Sequence, residues 1–278
     1  MKTEVRYAGH PDDIKGYDTD RLRKEFLIEN LFVPDEIVAV YSLYDRLIIG
    51  GAMPVSGELV LETMEELKAG NFLDRREIGL INTGGEAVVT ADGKTFMLGY
   101  KESLYIGRGV RNVVFNSSDV LKPAKLYFNS APAHHSYSSR LITLSGSERV
   151  TLGDQESSNH RTVNKMLVNT VLKTCQLQMG MTELKKGSVW NTMPVHTHNR
   201  RMEAYFYFEI PDNQAVCHFM GTPDETRHIW VRNEQAVISP SWSIHSAAGT
   251  SNYTFIWGMA GENLDYGDME IRNPDTLK

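Results

Sequence analysis

Pro194-Val-His196-Thr-His198-Asn-Arg-Arg-Met-Glu203-Ala-Tyr-Phe-Tyr-Phe-Glu-Ile210 is the stretch from which the fold is read. His196 and His198 are two residues apart, so on a strand both imidazoles leave the same face. Glu203 comes five residues after His198, the wrong parity for one unbroken strand. The polar insert Asn199 to Arg201 supplies a turn, and a second strand beginning near Met202 returns Glu203 to the histidine face. On that strand Glu203, Tyr205, Tyr207 and Glu209 share one side, while Ala204, Phe206 and Phe208 share the other. The phenylalanine side packs into apolar core and the Tyr/Glu side faces a polar cavity. Two imidazoles and a carboxylate converging there suit a divalent transition metal. A second block, Ile238-Ser-Pro240-Ser-Trp-Ser-Ile-His245, ends a strand at Pro240 and presents His245 from a turn, which completes a four-residue set.

The surrounding sequence has a matching texture. After Asn71, short runs rich in Val, Ile, Tyr and Phe alternate with turn signals at Asp92-Gly93, Pro211 to Asn213 and Gly221 to Pro223, a pattern of antiparallel sandwiches and barrels. Helical signals cluster earlier. Thr19 is expected to cap a helix carrying Leu22, Phe26 and Leu31 before Pro34, and Thr63 with Glu66 forms a capping-box pattern closed by Gly70. The polar stretch Ser145 to Asn159 marks a boundary, giving domains 1–150 and 151–278.

Two segments repeat. Glu102 to Phe115 lies on Glu234 to Ala247 without gaps, and Glu86 to Thr90 lies on Glu203 to Tyr207. This register puts Gly79, Ile81 and Val113 beneath His196, His198 and His245. The first barrel then lacks three of the four ligands, and one metal per chain is expected.

Composition sets the bounds. Lys plus Arg number 29 against 35 Asp plus Glu, a net charge of −6, which supplies no field to attract nucleic acid. An anionic ligand therefore needs a local cationic pocket. Cys175 and Cys217 are too few for a disulfide framework and read as buried small hydrophobes. The charged start, MKTEVRYAGHPDD, is unlike a signal peptide, and the longest apolar run, Leu47 to Val55, is far short of a bilayer span. A soluble, cytoplasmic protein with no membrane partner is the expectation. His134-His135 are adjacent, face opposite ways on a strand and read as structural or interfacial, and His218, on a β run without a partner motif, reads as structural.

His-x-His followed by Glu, and later Pro-x-x-x-x-His, resembles the two motif blocks of the cupins, whose fold is a double-stranded β-helix, or jelly-roll, barrel. Over its whole length the chain is similar to a family of two-barrel cupins, the 5-keto-4-deoxyuronate isomerases of pectin degradation. Trp190 to Glu209, Ser239 to Leu264 and Glu156 to Met166 carry the resemblance. Two departures from the general cupin pattern stand out: Trp242 occupies the usual place of a glycine, and no glycine follows Glu203 at the usual distance. The resemblance implies an all-β chain of two such barrels with short N-terminal helices. It implies that His196, His198, Glu203 and His245 hold Zn(2+) in the second barrel, and that the chain forms a homohexamer. It also implies isomerisation of a small-molecule deoxyuronate, 5-dehydro-4-deoxy-D-glucuronate, to 3-deoxy-D-glycero-2,5-hexodiulosonate through an enediolate.

For that chemistry, Arg161 and Lys165 are candidates to bind the substrate carboxylate, because a guanidinium pairs carboxylates bidentately. Tyr205, Tyr207 and Glu209 share the metal-side face and remain alternatives for moving the proton, beside a metal-bound hydroxide. A cupin dioxygenase and a sugar-binding sensory barrel are the competing readings. No helix-turn-helix or basic patch accompanies the barrels, which speaks against a transcriptional sensor.

Overall fold

A computed structural model of the chain describes residues 1–262 and 266–278. Asn263 and Leu264, which close one of the stretches carrying the resemblance, lie outside the described residues. The architecture is all-β and of cupin type, with two short N-terminal helices, Pro11–Ile14 and Thr19–Phe26. The cap of the second helix is Asp18, whose carboxylate accepts from the Arg21 N–H at 2.8 Å, and not Thr19. Nor is the capping box at Thr63 used. Residues Glu65–Leu67 make one 3-10 turn with no side-chain cap, too short for the reciprocal bonds of a helix start.

The chain divides into two compact units. One comprises residues 1–6, 30–148 and 166–178, the other residues 7–29, 149–165 and 179–278, an exchange of segments that a single cut after residue 150 does not describe. In the first, a seven-stranded sheet runs in the order Lys2–Arg6, Ile37–Ser42, Ile48–Ala52, Leu126–Pro132, Arg76–Asn82, Ser103–Ile106, Arg140–Ile142. It packs on a four-stranded sheet through apolar side chains that include Ile78, Leu80, Leu104, Phe128, Val89 and Phe115. The second sheet pair repeats the plan. Its seven strands run Glu148–Leu152, Arg161–Leu167, Gln178–Leu184, Thr254–Gly261, Arg201–Phe208, Gln235–Ser239, Leu27–Ile28, again with a four-stranded partner sheet.

One contact found in both sheets sets the true register between the repeats. A Cβ on Gly50 would fall 2.1 Å from the Phe128 ring, and one on Gly180 would fall 2.2 Å from the Trp257 ring, so only glycine lets each ring lie on its neighbouring strand. Phe128 is opposite Leu80, and Trp257 is opposite Tyr205. Leu80 therefore matches Tyr205, Ile78 matches Glu203, and Arg75-Arg76 match Arg200-Arg201. The repeat read from sequence is corrected accordingly. Ala87–Ala91 belongs to the four-stranded sheet, so Glu86 does not underlie Glu203. Leu104, opposite Leu80, matches Val237, opposite Tyr205, a slip of one residue from the gapless overlay. Such a slip turns a strand's inner face outward, which is why packing and not sparse identity must decide it.

The strand carrying Ile78 also buries Glu77 on its opposite face. The Glu77 carboxylate accepts from the Tyr105 hydroxyl and from the N–H groups of Cys175, Gln176 and Leu177, all at 2.8 Å. That bonding fixes residues 175–177. Cys175 is buried and Cys217 only half-buried.

Candidate metal centre

His196 opens the two-residue strand His196–Thr197, which pairs with Glu270–Ile271, and the Thr197 hydroxyl donates to Glu270 at 3.1 Å. His198 follows, its N–H donating to the Ser241 carbonyl. Arg201–Phe208 begins one residue before the expected start, so Arg201 is the first residue of the strand and not part of the turn. Glu203 on it lies opposite Ser239, the last residue of Gln235–Ser239. Beyond Pro240 the turn closed by Ser243 N–H to the Pro240 carbonyl delivers His245, just ahead of Ser246–Gly249. Trp242, at the place where cupins usually carry glycine, packs edge-on against Phe26.

These elements bring one ligand atom from each of His196, His198, Glu203 and His245 within 4.8 Å of one another, and all four residues are buried. Among the described residues this is the one group of three or more potential ligands so arranged. The hydrogen bonds around it select a tautomer. His198 Nδ1 lies 2.6 Å from the Asp268 carbonyl, which only accepts, so Nδ1 carries the proton. Its Nε2 lone pair then points at Glu203 Oε1, 2.7 Å away. His245 Nδ1 lies 3.3 Å from the Ser239 hydroxyl, and its Nε2 is 2.9 Å from Nε2 of His196.

Burial, reinforced by the neighbouring imidazoles, pushes His196 down to about 2 and His245 down to about 4, so both rings are neutral. Burial alone would raise Glu203. Arg201, and the imidazole neighbours whenever one of them takes up a proton, outweigh it and hold the carboxyl well below the usual carboxylate range. The result is a carboxylate and imidazole lone pairs aimed at one another at short range, an arrangement that a divalent cation relieves. Three nitrogens and one oxygen suit zinc or a neighbouring transition metal, with Asp268 and Ser239 orienting the rings from behind.

A cavity of about 150 Å³ opens beside the cluster. Arg161 lines it. Its Nη1 donates to the Asn159 carbonyl at 3.0 Å, and its Nε is buried with no partner among the described residues. Lys165 does not line it; its ammonium sits 4.8 Å from the centre of the Tyr266 ring. The three side chains expected on the metal side separate. Tyr205 lines the cavity, its ring 5.4 Å from that of His245, and its hydroxyl meets no acceptor or donor among the described residues. The Tyr207 hydroxyl is held by His218 Nδ1 at 2.7 Å. Glu209 lies past the end of the strand with φ of 55°, exposed, and accepts from the Thr254 hydroxyl. His134 and His135 are both exposed and outside the cluster.

Reading from sequence missed Arg201, which is 1% exposed, lines the cavity and donates to the carbonyls of Tyr266 and Asp268. It also missed the wall of Phe255, Trp257 and Met259. The strand parity of Thr254–Gly261 is the signal by which that wall is recoverable.

Fold and site together define a two-barrel, cupin-type protein with a buried three-histidine, one-glutamate cluster in its second barrel. Residues 41–274 match the KduI/IolB family model, and the chain belongs to that family. It is 61% identical over 280 residues to 4-deoxy-L-threo-5-hexosulose-uronate ketol-isomerase 1 of Bacteroides thetaiotaomicron, covering 100% of both chains. To the ketol-isomerase of the same name from Lachnoclostridium phytofermentans it is 56% identical over 275 residues, 99% of this chain and 100% of the relative. Among solved structures it resembles an iolb-like protein from Salmonella typhimurium, with a TM-score of 0.66 and 17% identity over 81% of this chain and 87% of that one. Oxalate decarboxylase from Bacillus subtilis is similar in fold alone, with a TM-score of 0.54 and 10% identity over 79% and 69% of the two chains. Among the described residues no helix is long and apolar enough to cross a membrane.

Proposed function

We propose that this chain is a metal-dependent ketol-isomerase that converts 5-dehydro-4-deoxy-D-glucuronate (4-deoxy-L-threo-5-hexosulose uronate) to 3-deoxy-D-glycero-2,5-hexodiulosonate in pectin and uronate breakdown. The observation that carries this reading is the buried His196, His198, Glu203 and His245 cluster opening onto a cavity that also presents the Arg161 guanidinium. The names of the full-length relatives point the same way. One zinc per chain is held by those four side chains in the second barrel. The first barrel holds none, because Ile78 stands at the position of Glu203. A cytoplasmic homohexamer belongs to the same reading and rests on the family resemblance.

Isomerisation moves a proton from the hydroxyl-bearing carbon to the aldehyde carbon, and negative charge builds on two substrate oxygens on the way. When bound, the cation supplies electrostatic stabilisation of that charge. Arg161 binds the substrate carboxylate through its Nε side, whose Nε–H has no partner among the described residues, and this fixes the end of the substrate remote from the reaction. Tyr205, raised well above the usual tyrosine range chiefly by burial, stays protonated and donates to an oxygen as charge develops on it. Phe255, Trp257 and Met259 wall the cavity and exclude water, which strengthens both interactions.

The test is to incubate the protein with the unsaturated-uronate product of pectin lyases in heavy water and follow proton NMR. One deuterium should appear at the former aldehyde carbon, with no oxygen consumed; a chelator should stop turnover and zinc should restore it. Undiminished turnover by metal-free protein, or stoichiometric oxygen uptake, would overturn the proposal.

A further inference from the structure

The register set by Gly50 and Gly180 matches Arg75-Arg76 of the first barrel to Arg200-Arg201 of the second. Arg201 lines the cavity beside the histidine cluster. Arg76 likewise lines a cavity in its own barrel, together with Tyr41, Glu66, Phe72, Arg75 and Pro132. At about 240 Å³ this cavity exceeds the one of about 150 Å³ beside the histidines. The first barrel has no metal ligand at the Glu203 position, yet it retains the arginine and the space.

Arg76 is a buried cation with no carboxylate in ion-pair contact among the described residues. It is 5% exposed, and its hydrogen bonds go to uncharged oxygens: the Ser130 hydroxyl at 3.0 Å and the carbonyls of Ser130 and Arg46, both at 2.6 Å. The Tyr41 ring lies 5.6 Å from the guanidinium carbon. Its Nη1 donates to nothing among the described residues. The adjacent carboxylate, Glu77, points to the opposite face of the strand and is taken up by four other donors. Arg75 is held in place by the carbonyls of Leu67 at 2.6 Å and Lys68 at 2.8 Å through Nη2 alone, leaving its other N–H groups for a ligand. Glu66 is the cavity's carboxylate and makes no ion pair with either arginine among the described residues.

We propose that this cavity is a second, metal-independent binding site that takes a small hydroxylated carboxylate of the sugar-acid class. The two guanidinium groups supply the charge and the fork geometry for a carboxylate. Tyr41 and Phe72 offer apolar faces for the carbon chain, and Glu66 offers an acceptor for a hydroxyl, which favours a sugar acid over a bare inorganic anion. The site draws on no residue of the histidine cluster and stands independently of the isomerase reading.

The test uses the full-length protein and D-galacturonate as probe, with binding followed calorimetrically and the contacts located by crystal soaking. To separate the two barrels, the same titration is run on His196→Ala and on Arg75→Ala. Arg75 is exposed, so its removal should leave the fold and isomerase turnover unchanged while weakening binding to the first barrel about tenfold, the loss expected for one charge-assisted contact. Arg76→Lys, which keeps the charge and loses the fork, should weaken it further, and His196→Ala should leave it intact. The neutral alcohol galactitol should not bind. Galacturonate affinity indifferent to both Arg75→Ala and Arg76→Lys, no occupancy of the first barrel in soaked crystals, or occupancy by a carboxylate side chain of a second copy of this chain would each overturn the proposal. Inorganic phosphate competing as well as galacturonate would overturn the sugar-acid assignment.

Discussion

Two tyrosines two residues apart on one strand should fail in opposite ways when their hydroxyls are removed. Tyr205 and Tyr207 point to the same face and both are buried. The Tyr207 hydroxyl bonds His218 Nδ1 at 2.7 Å, and His218 Nε2 has no partner among the described residues. Tyr207→Phe therefore takes from a fully buried imidazole the one hydrogen bond it makes to the described residues. Stranding a buried polar group in this way costs about 1–3 kcal/mol. The Tyr205 hydroxyl has no partner to lose among the described residues, so Tyr205→Phe should change stability by no more than about 0.5 kcal/mol. Its loss should appear in catalysis. Removing one preorganised donor to a developing oxyanion costs about 10²–10³ in kcat. The experiment measures guanidinium unfolding and steady-state kinetics on both variants, with metal content confirmed equal. Tyr205→Phe should be as stable as the parent and nearly inactive, whereas Tyr207→Phe should be destabilised and retain activity within a few-fold. If Tyr205→Phe keeps full kcat, or if Tyr207→Phe is the inactive one, the assignment of the donor is wrong.

Three other outcomes are expected. Arg161→Lys keeps the charge but loses the planar fork, so kcat/KM should fall about tenfold or more on the uronate and much less on a neutral analogue; equal losses on both would indicate structural damage. Elemental analysis of chelator-washed, zinc-reloaded protein should give about one metal per chain, lost in His196→Ala and in His245→Ala with circular dichroism unchanged, and two tightly held metals would contradict a single ligand set. Burial pushes His218 down to about 3, so below its unfolded value near 6.5 the unfolded chain takes up a proton that the native ring refuses. Stability should therefore fall as pH drops from about 6.5, by roughly 2 kcal/mol at pH 5 from this group, with no contribution above 6.5. His218→Gln should remove that part of the slope, and an identical slope in the variant would show that His218 does not carry it.

Strand parity made much of the centre legible. Because alternate residues leave a strand on the same face, His196, His198 and Glu203 could be grouped from their spacing and one turn, and His245 from its place after Pro240; the four do converge within 4.8 Å. The same alternation marked Tyr205 and Tyr207 as companions of Glu203. It failed at Glu209, where the backbone leaves the extended region at φ of 55° and the parity lapses. It failed also for Arg201, whose charge suggested a solvent-facing turn while the fold buries it against carbonyl oxygens.

By itself, then, the sequence determined the all-β class and the grouping of His196, His198, Glu203 and His245, since each is written in local periodicity, turn chemistry or short spacing. Only the tertiary structure decided how the two repeats align. That register depends on Phe128 lying over Gly50 and Trp257 over Gly180, contacts between strands remote in sequence. It also separated the two tyrosines, because the Tyr207 hydroxyl is claimed by a histidine on a strand of the other sheet while Tyr205 lines the cavity. Finally, it showed that Arg76 and Arg201 occupy equivalent, buried places. A charge is buried only where neighbouring strands supply oxygens to receive it, and which strands are neighbours is a property of the closed barrel rather than of any segment.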